Sequence, residues 1–96
     1  MKIGMIMDIA GGTQAQYDMA MQTMRLAMGQ AKENWPEGII SHVAGPIPTG
    51  WRVVDVWESK EHFQKFFTER LGAAMQAAGI PQSEPQFFDV YNVHTS

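Results

Sequence analysis

A chain of 96 residues and 10.7 kDa has room for one hydrophobic core, so a single domain over residues 1–96 is expected. Seven Lys and Arg against ten Asp and Glu leave a net charge of −3, which excludes the basic footprint of a nucleic-acid or anionic-membrane binder. With 45% hydrophobic and 18% charged residues the chain has the material to fold, and the lack of cysteine removes disulfides and thiolate chemistry together.

The opening MKIGMIMDIAGG has no secretory cleavage pattern. The uncharged stretch Leu71 to Ser83 is interrupted by Gly72, Gly79 and Pro81 and falls short of the roughly 18 apolar residues of a spanning helix. A soluble, cytoplasmic protein is the expectation. Eight Met, three Trp, two Tyr and five Phe are many for this length, and such side chains build adaptable pockets or interfaces.

In chain order, Lys2 to Asp8 carries Ile3, Met5 and Met7 on one parity and Ile6 on the other before Gly11-Gly12, which predicts a first strand and a turn. Thr13 followed by Gln16 is a capping-box pair. Tyr17, Ala20, Met21, Met24, Ala27, Met28 and Ala31 then recur at helical spacing, predicting a first helix down to Asn34, where Pro36 blocks continuation.

Gly38 to Gly45 and Gly50 to Glu58 are β-rich runs around a Pro46-Ile47-Pro48-Thr49 linker, and predict a hairpin. Ser59 is an N-cap with Glu61 in the first turn. Phe63, Phe66, Phe67, Leu71, Ala74, Met75 and Ala78 continue a helical stripe to Gly79. After a Pro-containing linker, Phe87 to Val93 has the composition of a last strand.

The order β, α, β, β, α, β predicts an α+β, ferredoxin-like fold: a four-stranded antiparallel sheet with both helices on one face. Trp51, Val53 and Trp57 alternate with Val54 and Val56 in the third run, and Phe87 and Tyr91 with Phe88 and Val90 in the fourth. Both sheet faces therefore need cover. Helices cover one, and a second copy of the chain is expected on the other, making a homodimer.

If Gly45 and Gly50 are paired, His42 stands opposite Val53 and diagonal to Asp55, and His42, Val53, Asp55 and Trp57 share a face. A carboxylate beside an imidazole fixes the ring tautomer and strengthens it as a proton acceptor, so His42 and Asp55 are the candidate catalytic pair. A second explanation is structural: a carboxylate on a buried strand needs a hydrogen-bond partner whatever its function.

The segments His42-Val-Ala-Gly45 and Gly50-Trp51-Arg52-Val-Val-Asp55-Val-Trp57-Glu-Ser59, followed by Phe63 and Phe66, resemble the dimeric α/β-barrel superfamily. Within it the likeness is to the small proteins grouped with the antibiotic biosynthesis monooxygenases. The resemblance implies two ferredoxin-like subunits packed sheet to sheet, each with a pocket between its sheet and helices, and it turns the face of Trp57 toward that pocket. It also implies a choice of activities: cofactor-independent oxygenation of polycyclic phenols, haem degradation, cyclisation, decarboxylation, isomerisation, or none. Val53 stands where the quinone-forming oxygenases carry an Asn, and Phe67 where the haem-degrading members carry a His, so haem is not expected as a ligand.

The candidate substrate wall is Trp57, Trp51, Tyr17, Met21, Met24, Phe67 and Val53. Flat aromatics suit a planar or polycyclic ligand, although each of these residues also has a plain role in core packing. His62 is expected beside Glu61 facing solvent, and His94 shares parity with Asn92 on the last strand.

No metal spacing is compelling, since Glu58 and His62 straddle a strand end and a helix cap. The serines lack a nucleophile setting, and Gly11-Gly12 lacks the further glycines and Lys of a phosphate cradle. The expected function is a cofactor-independent, monooxygenase-like enzyme that abstracts a proton from a flat aromatic or polyketide-type molecule in an apolar pocket. The alternatives are a cyclase, isomerase or decarboxylase, or a non-catalytic binding or structural dimer module.

Overall fold

The computed structural model describes residues 1–26 and 34–94. Strands β1 (Ile3–Ala10), β2 (Ile39–Ile47), β3 (Gly50–Trp57) and β4 (Gln86–Asp89) form one antiparallel sheet in the order β2-β3-β1-β4. Helix α1 (Gln14–Met24) follows β1; helix α2 (Lys60–Phe66), a π-helical turn (Phe67–Leu71) and helix α3 (Gly72–Ala77) follow β3. This is the expected ferredoxin-like α+β fold.

The alternation read along β1 holds: Ile3, Met5, Met7 and Ile9 are buried, while Asp8 and Ala10 are exposed. The strand runs two residues past the expected end because Asp8, Ile9 and Ala10 pair with Arg52, Trp51 and Gly50. Gly50 permits that pairing. Its φ of +152° is glycine territory, and a Cβ there would lie 2.1 Å from the Ile9 carbonyl oxygen.

Thr13 and Gln16 form the capping box: Thr13 Oγ1 accepts from the Gln16 amide and Gln16 Oε1 from the Thr13 amide, both at 3.1 Å. Gln16 Nε2 also donates to the Gly79 carbonyl at 3.2 Å, tying the start of α1 to the end of α3. The predicted continuation to Asn34 is corrected. Arg25 turns left-handed at φ 58°, its amide bonds Gln22 O and the Leu26 amide bonds Met21 O, a Schellman closure that a periodicity argument does not see. Asn34, likewise at positive φ, lies in a turn. Ala27, Met28 and Ala31, the far end of the expected stripe, lie outside the described residues.

The hairpin is tighter than expected. Ile47 pairs with Gly50 and Pro46 with Trp51, so only Pro48-Thr49 connect β2 to β3 and Gly45 faces Arg52. Pro46 is tolerated in the ladder because β2 is an edge strand. The register moves by two residues from the expected one, which keeps every side chain on its face. A bulge between Ile39 and Ser41 closes the other end of β2.

The second helical segment carries the expected Ser59 cap, whose hydroxyl accepts from the His62 amide at 3.2 Å. Its stripe is re-phased by the π turn, where the Gly72 amide reaches back five residues to Phe67 O. Phe63 and Phe66 before the turn and Ala74 and Met75 after it are buried, while Phe67 is left at the margin. β4 ends at Asp89 rather than Val93, with one further bond from the Val90 amide to Lys2 O; Tyr91 is fully exposed.

One sheet face packs on the helices. Ile3, Met5, Met7, Ile9, Trp51 and Trp57 meet Ala20, Met21, Met24, Phe63, Phe66, Ala74 and Met75 in a continuous core. The opposite face carries Ile6, Val43, Val54, Val56 and Phe88, with an Asp8–Arg52 ion pair at its rim. Phe88 folds over Gly4, where any Cβ would fall 2.1 Å from the ring.

Candidate functional site

β2 and β3 place His42 directly opposite Asp55, closer than the diagonal expected from sequence. Asp55 is 4% exposed and is the buried charged residue of the core. Such a carboxylate needs a donor at each oxygen. His42 Nδ1 supplies one to Oδ1 at 2.6 Å, and the Trp57 indole supplies the other to Oδ2 at 3.1 Å. Trp57 is itself fully buried and fixed edge-on against Phe63, ring centroids 5.6 Å apart, and beside Phe66.

The chain of hydrogen bonds continues outward. Tyr17, in the first turns of α1, brings its hydroxyl to 2.5 Å from His42 Nε2, with the two ring planes 9° from parallel. Burial is the main reason the Tyr17 phenol is pushed up to about 12, with the charges of Asp55 and Asp18 adding to it. Tyr17 is thus a neutral O–H at ordinary pH, and with Nδ1–H committed to the carboxylate, the Nε2 lone pair is the acceptor it meets. Tyr17, His42, Asp55 and Trp57 form one ordered series from α1 to the base of β3.

His42 keeps 19% of its side-chain surface. Trp35 covers its other side, with centroids 5.1 Å apart, and Trp51 packs on Tyr17 at 5.3 Å. Beside the series lies a cavity of about 60 Å³ between the sheet and the helices. Its polar wall is Tyr17, His42, Asp55 and Trp35; the rest is apolar, including Met5, Met7, Met21, Met24 and Met75. Among the described residues no Lys or Arg lines it. Among the described residues no cluster of three His, Asp or Glu could hold a metal ion.

Of the residues singled out in the sequence, Tyr17, Met21, Met24, His42, Val53 and Asp55 line this cavity together. Trp57, Trp51 and Phe67 do not. Trp57 lies behind Asp55 as its second donor, Trp51 lies behind Tyr17, and Phe67 stacks at the margin with Phe63. Phe66 and Leu71 line the wall instead. Trp35, Ile39, Leu26 and Ile80 were not marked by the sequence: they sit at chain turns and strand ends, where no periodicity points. His62 is half-buried, bonded through Nδ1 to Ser59 Oγ at 2.7 Å, rather than free in solvent.

Arg70 braces the cavity from outside. Its guanidinium donates to Met24 O and Asn34 O, both at 2.7 Å, and lies over the Phe66 ring. A hydrogen-bonded carboxylate, imidazole and phenol opening on an apolar cavity define a site suited to moving a proton out of water's reach.

Solved structures share this fold. The chain superposes on a Chloroflexus aurantiacus protein named for the antibiotic biosynthesis monooxygenases, with TM-score 0.66, 17% identity and coverage of 99% and 98% of the two chains. SnoaB from Streptomyces nogalater, a cofactor-independent oxygenase, matches at TM-score 0.63 and 12% identity, covering 96% and 95%. A monooxygenase from the ActVA-Orf6 gene of Streptomyces coelicolor, solved with nanaomycin D, matches at 0.54 and 18%, covering 99% and 91%. The chain therefore has the ferredoxin-like fold of the antibiotic biosynthesis monooxygenase-like proteins, and at these identities the likeness concerns the fold. No family model and no curated protein matches the sequence.

Proposed function

We propose that this protein is a cofactor-independent, monooxygenase-like enzyme that removes a proton from a flat aromatic or polyketide-type molecule and lets dioxygen react with the resulting anion. The observation that carries the reading is the Tyr17–His42–Asp55–Trp57 series ending on an apolar cavity. His42 is the base; Asp55 holds the ring in the tautomer whose Nε2 lone pair meets the Tyr17 hydroxyl, and stabilises the imidazolium formed. For a methylene flanked by aromatic rings, the balance is CH2 plus O2 giving C=O plus H2O. Both hydrogens leave in the water, and no external reductant is needed.

The cavity of about 60 Å³ is small beside the roughly 300–1,000 Å³ of sites that enclose larger ligands. Five methionines in its wall supply the adaptability a fused-ring substrate requires, because unbranched thioethers repack at low cost. We further propose a homodimer through the outer sheet face, supported by the exposed Val43 and Phe88, and a cytoplasmic location, supported by the absence of cysteine.

Oxygen uptake with anthrone-type and quinol substrates tests the reading. One dioxygen consumed per substrate, lost in His42→Ala with the fold retained, is the expected result. Turnover of such substrates without oxygen uptake would instead identify a cyclase, isomerase or decarboxylase, which use the same proton abstraction. Absence of turnover, with loss of fold alone in His42→Ala, would favour the binding or structural module.

A further inference from the structure

His42 does not present a bare nitrogen to the cavity, because the Tyr17 hydroxyl already occupies Nε2 at 2.5 Å. A substrate proton bound for His42 must either displace Tyr17 or pass through it. Displacement is opposed by the placement of Tyr17: its ring is held between Trp51 and His42, and its helix turn is anchored by the capping box. Passage needs no displacement. A phenol that donates to Nε2 still has an oxygen lone pair for an incoming O–H.

The second constraint is charge. Among the described residues Asp55 is the carboxylate in the wall and no Lys or Arg lines the cavity, and Asp18 adds a further negative charge near Tyr17. An anionic ligand would meet repulsion in an apolar surround with no cation among the described residues to offset it. A neutral hydroxyl compound meets none. Trp35, in the same wall, has an indole N–H that is buried and without a partner among the described residues, a donor available to a ligand oxygen.

Resting on the proton-abstraction reading above, we infer that the ligand is a neutral phenol or enol whose hydroxyl donates to Tyr17 Oη, so that Tyr17 is the residue touching the reacting oxygen and His42 acts through it. In the transfer the ligand O–H bond breaks as a new Tyr17 O–H bond forms, while the original Tyr17 proton passes to His42 Nε2. Tyr17 ends unchanged, the ligand is left as an oxyanion, and the positive imidazolium faces Asp55. No oxidant or reductant enters this step. Carboxylate analogues of the same ring are excluded.

The test is equilibrium binding, which does not depend on turnover. The full-length protein is titrated with 4-fluorophenol and with 4-fluorobenzoate near neutral pH, followed by fluorine NMR, with the His42 ring nitrogens observed by 15N NMR in the same samples. The expected result is saturable binding of the phenol that shifts the His42 Nε2 resonance, at least tenfold weaker binding of the benzoate, and at least tenfold loss of phenol affinity in Tyr17→Phe. That variant keeps the ring packing, and its fold is checked by near-UV circular dichroism. The inference is overturned if the phenol does not bind, if the benzoate binds as well as the phenol, or if Tyr17→Phe binds the phenol like the parent. Tyr17-dependent phenol binding without any oxygen uptake would leave this inference standing and remove the oxygenase reading.

Discussion

The two faces of the sheet are made by the same strands and treat polar groups in opposite ways. On the inner face β3 sends Asp55 into the core, 4% exposed, where each carboxylate oxygen has a donor from a fixed neighbour. On the outer face Asp8 meets Arg52 in a two-pronged contact at 2.6 and 2.8 Å, open to water. The first pair is held by the surrounding packing and orders a site; the second is screened by solvent and gives little stability. Apolar groups divide in the reverse sense. Met5 and Trp57 are sealed by helices, whereas Val43 is 65% exposed and Phe88 50%.

Asp55→Ala should produce the largest change. It strands both the Trp57 indole and the His42 Nδ1–H, and each buried donor left without a partner costs about 1–3 kcal/mol; urea unfolding would measure it. A matched pair of truncations comes next. Met5→Ala should cost about 2–5 kcal/mol as a cavity opens in the core, while Val43→Ala should stay within about 0.5 kcal/mol for a free surface. If a second copy covers that face, the Val43 effect will grow with protein concentration, which sharpens the contrast between the faces.

Val54→Asp puts a charge at the centre of the outer face without touching the cavity. For the proposed dimer, sedimentation velocity should show dissociation at concentrations where the parent is associated; an unchanged profile would mean the outer face is open.

Tyr17 gives a smaller, pH-dependent signal. Its folded value of about 12 stands above the ordinary 10, so the native state holds the proton more tightly than the unfolded chain. The stabilisation is complete below about 10 and is lost as pH rises toward about 12. The urea midpoint should therefore fall less between these limits in Tyr17→Phe than in the parent. The smallest effect belongs to Asp8→Asn. The Arg52 hydrogen bonds hold Asp8 below the usual carboxylate range, so the contribution exists above that range and fades as the pH falls through the lowered value. A neutral-pH midpoint that barely moves, with a slightly flatter acid limb, is expected.

Several features were legible in the sequence because they are local. The Thr13–Gln16 capping box, the Ser59 cap and the parity of Ile3, Met5 and Met7 depend on residues within a turn or a strand of one another. The shared face of His42 and Asp55 was legible for the same reason, since a slip of two residues preserves parity. Helix α1 was read too long because its stop is a left-handed Arg25, a residue type that carries no stop signal. The helical stripe carries both Phe66 and Phe67, and only packing decides that Phe66 lines the cavity while Phe67 stays at its margin.

The sequence by itself thus determined the order of elements, the ferredoxin-like class, and the face on which the carboxylate and imidazole lie, all set by short-range periodicity and hydrogen bonding. Only the tertiary structure decided that Trp57 backs Asp55 rather than lining the cavity, and that Tyr17 closes on His42 across 25 positions of chain. Those contacts depend on how a helix packs on a sheet, and packing distances between elements far apart in the chain leave no periodic mark in the order of its residues.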